Sequence, residues 1–411
     1  MVERVVLHIG MHKTGSSSIQ RSLVGYDDGH AFYGRFARPN HSLPLHTVFA
    51  AEPARHHLWV REGLDEAAVA RKRAEALDCL DRDLTRSDRK VLVLSGEDVG
   101  VLTDDEKDRL VAHLRRHGAQ VDVVAYVREP AAFTASSFQQ GVRGGSVLPL
   151  RRGTVRPGYR RRLERFLELV PGAVTVRAFE RDRLAGGSVV QDFCEIAGLE
   201  FGRLTDETVN ESLSVAALKL LLVFNASNAC SGGDRIVLGA RRRLVTTLRS
   251  LYGEGESIPS DRFACVADDS ELAWLSSTTG VVLAPAVSGA PAGWNEADLD
   301  RWLRDLTDVD LAPLDAELAR LGVAGRFPGA ATKLSRLYYA LVVEQQRRLV
   351  PDDRQLRPAD IDRLRDVALA IADGVSPDKD DAVALMTIAH RARPDGARMR
   401  AKLDEWGALP G

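Results

Sequence analysis

The sequence is poor in cysteine and contains no long apolar run. Among 411 residues there are four cysteines, and no two of them form a CxxC pair; they are Cys79, Cys194, Cys230 and Cys265. This pattern excludes the disulfide framework of a small secreted domain and a cysteine-based zinc site. No apolar stretch approaches the ~18 residues that span a bilayer, and Val5 to Ile9 is too short for a signal peptide. The sequence therefore predicts a cytoplasmic protein without a membrane span.

A bias toward charge of one sign is also missing. The chain carries 56 Lys and Arg against 58 Asp and Glu, for a formal net charge of −2. Such a balance does not indicate a nucleic-acid partner. Basic residues are concentrated in one stretch, Arg151 to Arg165, which holds seven arginines. That stretch predicts either a solvated helix face or a local anion-binding surface.

Short β-branched runs alternate with helical patterns through the first two-thirds of the chain. The predicted strands are Val5 to Ile9, Val91 to Leu94, Val121 to Val127 and Val174 to Phe179. Strands that are apolar on both faces and separated by helices predict a parallel sheet with helices on both faces, hence an α/β fold. Strand signals stop after a loop rich in Gly, Ala, Pro and Ser from Ala284 to Gly293. We predict an α/β domain over residues 1–285 and a helical C-terminal region over 286–411.

The most informative motif follows the first strand and opens a helix. It runs His8-Ile9-Gly10-Met11-His12-Lys13-Thr14-Gly15-Ser16-Ser17-Ser18. Gly10 and Gly15 let the backbone amides converge, Lys13 adds a full positive charge, and the serines can donate hydrogen bonds, so the loop predicts an anion cradle. It is not a Walker A loop, because Lys13 lies between the two glycines rather than after the second. The difference argues against an ordinary ATPase.

A second anion contact is predicted at the end of the Val121 to Val127 strand. Arg128 follows this strand, and Ser136 lies eight residues later on the next helix. The carboxyl ends of strands in open α/β sheets face the ligand crevice, and a guanidinium offers forked donors to phosphate. Together with the Lys13 loop, Arg128 favours a phosphate-binding role over a simple salt bridge.

These residues resemble the sulfotransferases that use 3′-phosphoadenosine 5′-phosphosulfate (PAPS). The loop is similar to the phosphosulfate motif of a bacterial branch, with Ser16 and Ser17 in place of two threonines, and Arg128 with Ser136 matches the 3′-phosphate pair. Further branch-like pieces are Leu94 to Glu97, Phe179 to Arg181, Asp192 with Phe193, and Asn210 to Ser212. The resemblance covers roughly residues 5 to 285 and none of the C-terminal helices.

The resemblance implies a P-loop-like sheet and sulfuryl transfer from PAPS, with adenosine 3′,5′-bisphosphate as product and no metal. Lys13 would steady the oxygen between sulfur and the departing phosphate, and Arg128 and Ser136 would hold the 3′-phosphate. The residues expected around the 5′-phosphosulfate are Gly10, His12, Lys13, Thr14, Gly15, Ser16 and Ser17. The acceptor is expected to be a hydroxyl or amine of a saccharide, lipid headgroup or small metabolite, held by loops such as Gly25 to Ala54.

The acceptor needs a general base, and several residues compete for this role. Glu97 follows the strand before the Arg128 strand, and His41 lies in a region where other family members supply a catalytic Glu. We favour Glu97 slightly; His12 and His46 are further candidates. The rival interpretation is a nucleotide-binding protein, a kinase-like phosphotransferase or a non-catalytic binding protein that uses the same loop. In either case the C-terminal helices are expected to pack on the α/β domain or on a second subunit of a homo-oligomer.

Overall fold

The computed structural model of the chain describes residues 1–147, 150–207, 212–227, 235–253, 255–283, 293–323, 325, 327–349, 356–370, 372 and 379–409. Residues 284–292 of the predicted Gly- and Pro-rich loop lie outside the described residues. Cys230 lies outside them as well, and so do Asn210 and Glu211 of the branch-like motif.

Five parallel strands form one sheet. In chain order they are β1 (Arg4–His8), β2 (Ala31–Tyr33), β3 (Val91–Ser95), β4 (Gln120–Val127) and β5 (Val174–Ala178). Their spatial order is β2-β3-β1-β4-β5, and all neighbouring pairs are parallel. His8 at the end of β1 is in register with Ser95 of β3 and Val124 of β4. The predicted α/β fold with a parallel sheet is confirmed, and β1 lies at its centre.

Helices connect the strands and continue through the rest of the chain. As far as Ala197 they are α1 (Ser16–Ser22), α2 (Ser42–Phe49), α3 (His57–Glu62), α4 (Glu66–Leu84), α5 (Asp104–Leu114), α6 (Pro130–Gly144), α7 (Tyr159–Leu169) and α8 (Val189–Ala197). After Ala197 they are α9 (Val215–Ser227), α10 (Arg235–Tyr252), α11 (Leu272–Thr279), α12 (Glu296–Arg304), α13 (Ala312–Arg320), α14 (Ala330–Leu349), α15 (Pro358–Ala370), α16 (Lys379–Ala392) and α17 (Ala397–Glu405). Across the described residues, no helix combines the length and apolar character needed to cross a membrane.

Successive side chains of β1 enter two different hydrophobic clusters because strand residues point alternately to opposite faces. Val5 and Leu7 pack in the cluster that contains Leu110 of α5 and Phe166 of α7. Val6 packs in the cluster that contains Ile19 of α1 and Phe193 of α8. The sheet is thus covered by helices on both faces, which explains why its central strands are apolar throughout.

The chain forms two compact units, each assembled from separate stretches. The first contains the sheet and comprises Met1–Ser137, Leu150–Glu211 and Pro259–Glu296. The second comprises Phe138–Pro149, Ser212–Ile258 and Ala297–Gly411, and in it α14 packs against α9 and α10. The units do not follow chain order, and the domain boundary at residue 285 stays a prediction.

Candidate functional site

Three neighbouring strands end at one edge of the sheet and carry the predicted site residues there. β1 leads into the loop from Ile9 to Gly15, β3 leads through Gly96 to Glu97, and β4 is followed by Arg128. Since β3, β1 and β4 are adjacent and parallel, Lys13, Glu97 and Arg128 belong to one edge. This is the edge at which ligands of open α/β sheets bind.

The loop between β1 and α1 curves through three residues with positive φ. These are Gly10 (φ 54), Lys13 (φ 71) and Gly15 (φ 76). Among the described residues, Lys13 is the one non-glycine residue with a positive φ. The buried Thr14 hydroxyl donates to the Met11 carbonyl at 2.6 Å and accepts from the Met11 amide at 3.3 Å. The Thr14 side chain therefore shapes the loop from inside, and its expected contact with the 5′-phosphate would come from its backbone amide.

Both glycines of the loop lie against other parts of the chain. A Cβ on Gly10 would lie 2.8 Å from Ser16 Oγ and 3.0 Å from Glu97 Cβ. A Cβ on Gly15 would lie 2.8 Å from Val189 Cγ1 and 3.0 Å from Phe179 Cε2. Both contacts are closer than real Cβ atoms tolerate, so the loop needs glycine at both positions for space as well as for φ. Ser17, in contrast, is exposed on the first turn of α1.

Arg128 is in direct contact with the loop. Its Nη1 donates to the Lys13 carbonyl at 2.9 Å, and its guanidinium carbon lies 5.7 Å from the centre of the Phe179 ring. The Tyr159 hydroxyl donates to the Arg128 carbonyl at 2.5 Å and fixes the backbone at the end of β4. Burial lowers the pKa of Arg128. Ser136 lies on α6 and is half-buried.

Glu97 and Asp98 begin the 3₁₀ turn Glu97–Val101 that follows β3. The Asn40 amide nitrogen lies 3.5 Å from Glu97 Oε1, and burial, together with the charge of Asp98, raises the pKa of Glu97. Burial also opposes ionisation of Asp98, yet the hydrogen bond and charge of His12 and the charges of His56 and His46 hold its pKa below the ordinary value. Two adjacent carboxylates with oppositely displaced pKa values are typical of acid–base sites.

His12 links the loop to two other elements. Its Nε2 lies 3.0 Å from Asp98 Oδ1, and its Nδ1 lies 3.4 Å from Nη2 of Arg162 on α7. On the other side of Asp98, His56 Nε2 lies 3.9 Å from Oδ2. The His46 ring lies 4.7 Å from the His56 ring, and burial lowers the pKa of both. His12 and His46 thus belong to the group of residues around Asp98.

His41 has a different environment, and its geometry argues against a role as general base. It is fully buried, stacks on Tyr33 at 4.3 Å and meets the edge of Phe36. Its Nδ1 accepts the Ser95 amide at 3.2 Å, so the ring lone pair is already used. Burial lowers the pKa of His41 to about 3. A proton acceptor for a substrate needs an accessible lone pair, and His41 does not present one.

The arginine stretch of α7 and its preceding loop is mostly engaged with carboxylates. Arg160 pairs with Glu164, and Arg165 pairs with both Asp108 and Glu168. Arg152 and Arg156 lie near Asp269 and Asp268. These contacts favour the solvated helix face for most of the stretch, and Arg162 is the member that faces the loop. The sequence reasoning missed Asp98 and Arg162, although Asp98 directly follows the branch-like motif Leu94 to Glu97.

The chain matches no family model, no curated protein and no solved structure.

Proposed function

We propose that the protein is a sulfotransferase that moves a sulfuryl group from PAPS to a hydroxyl or amine. One observation carries the proposal: the Arg128 guanidinium donates to the carbonyl of Lys13 at 2.9 Å. The two predicted anion contacts come from different strands and are separated by more than a hundred residues, yet they touch. A P-loop-like sheet with this arrangement suits a donor that carries a phosphosulfate and a second phosphate.

In this proposal the loop binds the 5′-phosphosulfate. Its curved backbone directs amides toward the anion, and Ser16 and Ser17 add hydroxyl donors to those amides. Lys13 neutralises the charge that develops on the bridging oxygen as the bond to sulfur breaks. Arg128 and Ser136 hold the 3′-phosphate, which distinguishes PAPS from ATP. Sulfuryl transfer needs in-line positioning and charge stabilisation more than covalent catalysis.

Glu97 remains the preferred base because it lies at the same edge as Lys13 and Arg128 and has a raised pKa. A carboxylate with a raised pKa accepts a proton more readily than an ordinary one. As the acceptor oxygen bonds to sulfur, its proton passes to the Glu97 carboxylate, and the electron pair of the broken sulfur–oxygen bond goes to the 5′-phosphate.

The acceptor is proposed to enter beside the segment from Gly25 to Ala54. A cavity of about 390 Å³ lies there, walled by Phe36, Leu43 and Trp59 and bordered by Arg35 and Arg38. Asn40 and Ser42, between these lining residues in the chain, contact Glu97 and the Asp98 amide. Aromatic walls with a charged border suit a saccharide or a small hydroxylated metabolite. The cytoplasmic location and a homo-oligomeric state stay predictions.

The first test is thermal unfolding with adenosine 3′,5′-bisphosphate, with ADP and with ADP plus Mg²⁺. A ligand at about 100 times its Kd adds about 2.7 kcal/mol to the apparent stability. We expect the bisphosphate to raise Tm in the wild type and not in Lys13→Ala. Lys90→Ala is the matched control, because Lys90 is exposed and pairs with Glu3 at the opposite end of the strands.

The same experiment decides between the proposed function and its rival. Stabilisation by ADP with Mg²⁺ but not by the bisphosphate would support a nucleotide-binding or kinase-like protein instead. A second measurement follows the release of bisphosphate from PAPS with water and with a panel of saccharides, alcohols and amines. An acceptor in the panel that speeds this release identifies the substrate class.

A further inference from the structure

A side-chain contact joins the phosphate loop to the turn that carries the predicted base. His12, directly before Lys13, places its Nε2 3.0 Å from Oδ1 of Asp98, directly after Glu97. About one-third of the His12 side chain and one-quarter of the Asp98 side chain are exposed. Because Lys13 follows His12 and Glu97 precedes Asp98, the contact links the backbone of the proposed leaving-group stabiliser to the backbone of the proposed base.

The turn that carries Glu97 and Asp98 is also held on its other sides. The Asp98 amide donates to Ser42 Oγ at 3.1 Å. A Cβ on Gly96 would lie 2.9 Å from the Ser42 amide nitrogen, and a Cβ on Gly10 would lie 3.0 Å from Glu97 Cβ. The backbone at Glu97 is thus packed between the loop and the start of α2, and the His12–Asp98 contact adds a side-chain link between the loop and this turn.

We propose that His12 and Asp98 are a positioning pair that orients the phosphate loop against the turn that carries Glu97. The proposal rests on the proposed function for its catalytic consequence. In the transfer step, Glu97 takes the proton of the acceptor while the new sulfur–oxygen bond forms and the bond to the 5′-phosphate breaks. His12 and Asp98 exchange no proton with the acceptor and act through Glu97.

Several charged groups surround His12, Asp98 and Glu97, and each shifts the pKa of a neighbouring carboxyl in a known direction. Around Glu97, the charges of His12 and Lys13 lower its pKa, and the charge of Asp98 raises it. Around Asp98, the charges of His12, His56 and His46 lower its pKa, although burial opposes them. The guanidinium of Arg162 interacts with both carboxylates and reaches His12 Nδ1. Removing Asp98 or His12 therefore perturbs Glu97 in opposite directions.

The direct test follows the side-chain carboxyl resonance of Glu97 by carbon-13 NMR in protein labelled at Glu, with Glu97→Gln to assign the signal. Asp98→Asn keeps a hydrogen-bond acceptor for His12 but removes the negative charge, so the Glu97 titration should move to lower pH. His12→Gln removes an imidazole that is positive when protonated, so the titration should move to higher pH. Asp78→Asn and His30→Gln, both at exposed positions, should leave it in place.

The second readout is PAPS cleavage as a function of pH. We expect Asp98→Asn to slow cleavage by about 10²-fold, which is the scale for a small misplacement of reacting groups. In the pH–rate profile of Asp98→Asn, the acidic limb should lie at lower pH than in the wild type. In the profile of His12→Gln, the acidic limb should lie at higher pH. Bisphosphate affinity should change less than 10-fold in Asp98→Asn, because the Asp98 side chain is not among the residues assigned to the donor.

Two results would overturn the proposal. One is a Glu97 titration that is the same in the wild type, Asp98→Asn and His12→Gln. The other is complete loss of the acidic limb in His12→Gln together with a normal rate in Glu97→Gln, which would make His12 itself the base. Failure of the proposed function looks different: the wild type would not bind the bisphosphate, whereas the NMR titrations would still report on the pair.

Discussion

Glu97 and Asp98 are consecutive carboxylates with pKa values displaced in opposite directions. Burial raises the pKa of Glu97, and burial acts on Asp98 in the same sense. What separates them is His12, whose hydrogen bond and charge, with help from His56, reverse the effect at Asp98. One turn of chain therefore presents a carboxylate that holds its proton more tightly than usual and a neighbour that gives its proton up.

This difference makes Glu97 a source of pH-dependent instability. The folded-state pKa of Glu97 lies above the ordinary 4.5, so ionising this carboxyl in the folded protein lowers the free energy of unfolding. This loss of stability is absent at low pH and grows as pH rises through the folded-state pKa. Glu97→Gln should therefore be more stable than the wild type at pH 8, with the difference shrinking toward pH 5, as measured by urea unfolding. PAPS cleavage by this variant should fall about 10² to 10⁴-fold. A variant that is less stable at pH 8 and equally active would contradict the assignment.

Arg128→Ala tests the 3′-phosphate contact. A charge-assisted hydrogen bond contributes about 1.5–3 kcal/mol, so bisphosphate affinity should fall about 10 to 100-fold. The affinity for the 5′-monophosphate should fall less, because that ligand lacks the 3′-phosphate. Calorimetry on both ligands measures the difference, and Arg160→Ala serves as the control because Arg160 is exposed and pairs with Glu164. An equal loss for both ligands would mean that Arg128 acts only by holding the Lys13 carbonyl.

Gly15→Ala and Gly63→Ala form a matched pair. Both glycines have positive φ, 76° and 69°, but a Cβ on Gly15 would meet Val189 and Phe179, whereas nothing lies within 4 Å of one on Gly63. Gly63→Ala should destabilise the protein by about 1–2 kcal/mol through backbone strain alone. Gly15→Ala should cost more and should also weaken bisphosphate binding. Equal effects of the two substitutions on stability would show that the packing around Gly15 is not tight.

His8 and His41 make the protein sensitive to acid. Burial lowers the pKa of each from 6.5 to about 3, so both stay neutral in the folded state while the unfolded chain binds protons. Stability should therefore fall as pH drops from about 6.5 toward 3. His41→Gln can keep an acceptor for the Ser95 amide and should make this fall shallower in urea unfolding. It should also slow PAPS cleavage less than Glu97→Gln does; the reverse order would restore His41 as the base.

The central strands could be predicted from the sequence because they are buried on both faces and read as continuous apolar runs. The edge strand β2 (Ala31–Tyr33) was not predicted. It has three residues and directly follows Asp27-Asp28-Gly29-His30, where Asp28 accepts hydrogen bonds from the His30 and Ala31 amides. Its pairing with β3 is a long-range contact that local periodicity does not contain.

The site shows the same division between local and long-range information. The loop motif predicted where Gly10 and Gly15 would lie, since their need for positive φ is a local property. The environment of His41 could not be predicted, because its burial depends on Tyr33, Phe36 and the backbone of Ser95. The role of Arg162 was hidden for a related reason: its six arginine neighbours in the stretch look alike in sequence, and only packing turns one of them toward His12.

The position of the loop directly after the central strand determines how readily the backbone amides at its base exchange with solvent. The Ile9 amide donates to the Val124 carbonyl and the Gly96 amide donates to the His8 carbonyl, at 3.0 and 2.9 Å. These amides lie inside the sheet, and we expect them to exchange with solvent only when the whole sheet unfolds. The edge strand β2 has only three residues and leads into the segment beside Phe36 and Asn40, where we expect amides to exchange by local opening. If the protein has the proposed function, hydrogen exchange should therefore be faster beside the proposed acceptor cavity than at the base of the donor loop, as measured by mass spectrometry.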